Sequence, residues 1–116
     1  MKKTPASLYT QAATQIAEIE AEMNRIGYWC AEPLPESAYD FHMAFAMDTM
    51  AFVQWLQFVF VPRVKSIIQQ RGEFPASSQV GAQAIREFDS DPQAGRLVSL
   101  LCEFDSLFDK GVRSAQ

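Results

Sequence analysis

The segment from Met50 to Val61 reads MAFVQWLQFVFV, and its polar residues, Gln54 and Gln57, stand three apart on one helical face. A helix that is apolar nearly all round has to be covered on every side. This segment is therefore expected at the centre of the fold. It is also much shorter than the roughly 20 residues a membrane span needs. Pro62 follows directly. It lacks a backbone N–H and leaves the Phe58 carbonyl without its intrahelical partner, so a kink or a break and restart is expected there. Val64, Ile67 and Ile68 carry the apolar face on to Gln70, where Gly72 is expected to stop the helix. Asp48 or Thr49 is the expected N-cap.

A central helix needs partners, and the rest of the chain supplies them. Leu8, Ala12, Ile16, Ile19, Met23 and Ile26 fall at steps of three and four, which predicts one apolar stripe. Thr4 is the expected cap of that helix, Pro5 its first residue and Gly27 its end. Tyr28 to Met47 contains Pro33 and Pro35 and reads as an ordered loop pinned by aromatics, with one short helical turn over Pro35–Tyr39. Its weak alternation has no second strand to pair with. Ser77 or Ser78 is expected to cap a shorter helix with Val80, Ala84, Ile85 and Phe88 inward, weakened by Gly81. Asp91 and Pro92 open a last helix with the stripe Leu97, Leu100, Leu101, Phe104, Leu107 and Phe108. Gly111 closes it.

These segments predict an all-α fold, a compact antiparallel bundle of about four helices around a central apolar helix kinked or broken at Pro62. The 116 residues suit a single helical domain spanning 1–116, with 1–3 and 112–116 frayed.

Several chemistries lack their residues. The single histidine, His42, cannot supply a carboxylate-bridged di-metal bundle, which needs two Glu-x-x-His units. His42, Cys30 and Cys102 have no zinc-ligand spacing, and the cysteines read as two buried thiols in a reducing compartment. The five glycines stand alone, so no phosphate loop is present. Glu18 with Glu22, and Asp105 with Asp109, read as solvated faces. No pattern calls for a cofactor, and no catalytic residue stands out. The formal net charge of -4 argues against direct nucleic-acid binding. No signal-like apolar region follows Lys2 and Lys3, so a soluble, cytoplasmic protein is expected.

What remains is binding. On a structural reading, Trp55 fills the core, Gln54 and Gln57 bond to neighbouring backbone such as the Tyr28–Asp40 loop, and Arg63 meets a carboxylate. On a functional reading, Trp55 floors a groove, Gln54 and Gln57 line it, Arg63 forms its rim and the methionines give an adaptable wall. Asp48, Gln54, Trp55, Gln57, Arg63 and Trp29 are the candidate ligand- or partner-binding residues. The apolar surplus points to a patch drawn from Trp29, Phe41, Phe45 and Phe74.

Asp48-Thr49-Met50, Gln54-Trp55-Leu56-Gln57-Phe58-Val59-Phe60 and Pro62-Arg63 resemble the signature of the YqcC-like bacterial proteins. The order of an N-terminal helix, a Tyr28-Trp29 turn, a Pro-rich loop and then this helix is similar too. The resemblance implies a small helical cytoplasmic protein with no established activity, whose gene often lies beside that of a tRNA pseudouridine synthase. The expected function is therefore a non-enzymatic interaction module that binds a protein partner or itself, linked to tRNA modification. The alternative is a small-molecule binder with a groove near Trp55, Gln57 and Arg63.

Overall fold

The computed structural model describes residues 6–75 and 77–108. The expected caps Thr4 and Pro5, the stop at Gly111, the partner Asp109 and both frayed ends lie outside that range. Among the described residues the structure is all helical, with no strand.

Helix α1 spans Ala6–Arg25 and buries Leu8, Ala12, Ile16, Ile19 and Met23 on the stripe their spacing predicts. It ends at Gly27, whose φ of 80° is the left-handed conformation a glycine adopts without strain. The Tyr28 N–H then turns back onto the Met23 carbonyl, 2.8 Å away. The following loop holds two short 3-10 turns, Glu36–Tyr39 and Ala44–Ala46.

The apolar segment forms one rod in three parts: α2 at Phe52–Trp55, a π-helical turn at Leu56–Phe60, and α3 at Val61–Gln70. The junction residues Trp55, Leu56, Phe60 and Val61 all keep right-handed helical angles, so the rod runs through without interruption. The irregularity expected at Pro62 takes the form of this wider turn. The Val61 N–H reaches back five residues to the Leu56 carbonyl. Widening the turn relieves the clash a regular helix would make between the Pro62 ring and the Phe58 carbonyl. Trp55, Leu56, Gln57, Val59, Phe60 and Val61 are buried, and Phe58 is half-buried. Gly72 does not supply the left-handed stop. Arg71 does, at φ 55°, while the Gly72 N–H caps the Ile67 carbonyl at 2.8 Å.

Helix α4 spans Val80–Glu87 and α5 spans Gly95–Ser106. Asp91 caps the turn that leads into α5, accepting from the Gln93 N–H at 3.1 Å. Pairs across the bundle fix its directions. From α1, Tyr9 donates to the Gly72 carbonyl beyond the end of α3 at 2.6 Å, and Glu20 pairs with Lys65 at 2.8 Å. Also from α1, Gln15 meets Glu103 at 3.3 Å and Glu22 meets Arg96 at 3.8 Å. In both pairings the numbers rise on one helix as they fall on the other, so α1 runs antiparallel to α3 and to α5.

Two expectations about inward faces fail. Ile85 is 54% exposed. Helix α4 packs through Val80, Gly81, Ala84 and Phe88, and Ile85 lies one residue, about 100°, round from Ala84. Cys30 is exposed and Cys102 only half-buried, both as free thiols. Trp29 turns towards the core in place of Cys30. Gly81 has a clear reason for lacking a side chain: a Cβ there would lie 2.6 Å from the Cys102 Cα on α5.

Candidate functional site

The residues around Trp55 fall into two groups. In the first, polar side chains hold the loop and the helix start. The Gln57 carboxamide is buried and pairs with one residue at two points: Oε1 accepts from the Cys30 N–H and Nε2 donates to the Cys30 carbonyl, each at 2.7 Å. Gln54 Oε1 accepts from the Ala51 N–H at 2.8 Å, which is one half of a capping box. Asp48 and Thr49 are not caps of this helix, because it starts later, at Phe52, after the extended residue Ala51. Asp48 instead accepts from the His42 and Met43 N–H groups at 2.9 and 3.3 Å. Those backbone donors, His42 first, hold its carboxyl below the ordinary carboxylate range. Thr49 donates to the Ala38 carbonyl at 2.6 Å. Trp29 is half-buried against the core.

The second group surrounds a cavity of about 180 Å³. Trp55 stacks between Phe52 and Phe60, with ring centroids 5.8 and 5.5 Å away. The Phe45 ring meets Trp55 edge-on at 5.0 Å. Phe60 continues to Phe104 at 5.1 Å, and Phe104 to Phe108 at 5.1 Å. Trp55, Phe45, Phe60, Phe104 and Val64 border the cavity, and Arg63, itself exposed, stands at its margin. The structure thus brings Trp55 and Arg63 together and places Gln54, Gln57, Asp48 and Trp29 elsewhere. Phe45 and Ala46 hold this wall with left-handed backbone at φ 58° and 53°. For residues with a Cβ that conformation costs roughly 1–2 kcal/mol each.

Two carboxylates read as solvated are not. Glu22 is buried and takes the Arg25 guanidinium at 2.8 and 2.6 Å, with Arg96 nearby. The bond from Arg25 holds its carboxyl below the ordinary range, against the opposing effect of burial. The i,i+3 spacing of Glu22 and Arg25 carried that signal, and Arg96 comes from the far end of the chain. Asp105, on α5, reaches across to the start of α4. It accepts from the Ser78 hydroxyl at 2.6 Å and from the Gly81 and Ala82 N–H groups at 2.8 and 3.3 Å. Burial pushes its carboxyl up, partly offset by those donors. Burial, together with the Asp105 charge, also raises the Cys102 thiol. Trp29, Phe41 and Phe45 are half-buried and Phe74 is buried, so the expected aromatic patch does not form. The exposed large apolar side chains of the loop are Tyr39, Met43 and Met47.

Among the described residues no helix is long and apolar enough to cross a membrane.

The family profile DUF446, described as tRNA pseudouridine synthase C, matches residues 11–107. An uncharacterised protein of Haemophilus influenzae is 27% identical over 82 residues, covering 68% of this chain and 77% of its own. The uncharacterised protein YqcC of Escherichia coli is 25% identical over 95 residues, covering 81% of this chain and 87% of its own. A tRNA pseudouridine synthase C of Pectobacterium carotovorum is 30% identical over 67 residues, or 58% of this chain, and the shared segment makes up 18% of that synthase. No solved structure matches.

Proposed function

The chain belongs to the DUF446 family, and from that membership we propose that it is a non-enzymatic helical module that docks on a tRNA pseudouridine synthase. The observation that carries this reading is the segment within the Pectobacterium synthase that is 30% identical to this chain over 67 residues. When a module and another protein part share one chain, each is held near the other at high effective concentration. Where they are encoded apart, surface contact has to do the same work.

The surface that supports such contact is the loop bearing Tyr39, Met43 and Met47, which are 44%, 52% and 50% exposed. Tyrosine and methionine are enriched at protein interfaces, and methionine adapts to an uneven partner. The loop is held in shape by Asp48 and Thr49, so little conformational freedom remains to be lost on binding. The net charge of -4 leaves the tRNA phosphates to the synthase.

The test is coexpression with the tRNA pseudouridine synthase C of the same genome, followed by size-exclusion chromatography with light scattering. The two should elute as one complex at about 10 μM each. Met43→Asp with Met47→Asp should weaken the complex by roughly tenfold or more while leaving the melting temperature unchanged. Separate elution of both proteins, or self-association of this chain alone, would overturn the proposal.

A further inference from the structure

We infer that the cavity between Phe45 and Arg63 is a binding site for a small aromatic molecule carrying one negative charge. This stands apart from docking on a synthase and rests on other residues.

Size is the first argument. The cavity holds about 180 Å³. It opens to solvent on the Arg63 side, and its volume suffices for a single aromatic ring, since an apolar protein cavity of roughly 150 Å³ accepts one. The lining is the second. Phe45, Trp55, Phe60, Phe74, Phe104 and Phe108 are among the residues that line it, beside the polar Ser77, Ser78 and Gln79, and a mainly aromatic lining suits a planar apolar ligand. Charge is the third. Among the described residues that line the cavity, Arg63 is the one that is charged, in a chain whose net charge is -4. Among the described residues, none of the ion pairs involves Arg63. A guanidinium offers paired donors that fit a carboxylate. The apolar interior and the exposed cation at its margin together describe an aromatic ring with an acidic arm.

The backbone adds an independent point. Phe45 and Ala46 are consecutive non-glycine residues in the left-handed region. Strain of this kind persists where the surroundings over-determine it and gathers at binding sites. Here it places the Phe45 ring against Trp55, where it forms one wall of the cavity.

The experiment is an NMR titration of the full chain with phenylacetate, phenylacetamide and phenethylamine, following the Trp55 indole N–H and the Val64 methyl groups. Phenylacetate should give saturable shifts at both and bind roughly three- to fivefold more tightly than phenylacetamide, the size of effect an exposed charge pair produces. Arg63→Gln, a change at an exposed position, should keep the fold by circular dichroism and erase that preference. Three results would each overturn the inference: no saturable shift with any probe, equal or tighter binding of phenylacetamide or phenethylamine, or an unchanged preference in Arg63→Gln.

Discussion

A buried carboxamide has donors and acceptors to satisfy, and Gln57 satisfies them on the backbone of Cys30 alone. That pair ties the rod to the loop that follows α1, in the manner of a short strand pairing made by a side chain. Gln57→Ala leaves both Cys30 backbone groups without partners and should cost about 1–3 kcal/mol, read as a lower urea midpoint. A midpoint equal to wild type would mean that the pair contributes nothing. Glu22 acts at the same scale through its charge. Its folded-state pKa lies below the unfolded one, mainly because of Arg25. Its stabilisation is therefore present above the ordinary carboxylate range and is lost as pH falls through the folded value. Asp105 has the opposite sign: burial raises its folded pKa, so its contribution weakens as pH rises through the window above its ordinary value. Melting temperatures measured from neutral pH downwards should fall less steeply in Glu22→Gln than in wild type. An identical acid slope would show that the Arg25 pairing is not felt in stability.

Helix α4 is an element whose start is completed by another element. It is capped by Asp105 of α5 and lies so close to α5 that Gly81 faces the Cys102 backbone. Helix propensity alone makes Gly81→Ala stabilising by roughly 0.5–1 kcal/mol. The Cβ would meet the Cys102 Cα at 2.6 Å, which is backbone that cannot swing aside. The expected result is destabilisation by about 1–3 kcal/mol, seen in the denaturant midpoint, and a gain in stability would refute the close-packing argument. The same helix shows what sequence could and could not disclose. Stripes such as Ile16–Ile19–Met23 and Leu97–Leu101–Phe104 are local, and their spacing gave the helices and their inward faces. Caps from distant residues leave no local mark. The Asp105 cap lies 24 residues from Gly81, and the expected caps Ser77 and Ser78 are ordinary choices that the tertiary fold displaces. Ser78 still takes part, as a donor to Asp105.

For the molecule as a whole, the antiparallel bundle was legible because nearly every long segment carries one apolar face and the rod carries several. The candidate site was legible only in part. Trp55, Gln57 and Arg63 look like neighbours on one helix, yet Gln57 turns to the loop while Trp55 and Arg63 share the cavity. The wide turn at Leu56–Phe60 explains the division. At about 100° per residue, rings five positions apart should diverge, yet Trp55 and Phe60 stack. Absorbing one surplus residue brings Phe60, and with it Arg63 and Val64, back round by about one residue's rotation. Rewinding that stretch to ordinary pitch with every residue kept would swing Arg63 and Val64 away from the indole by about one residue's rotation. The hollow exists because the coil there miscounts by one.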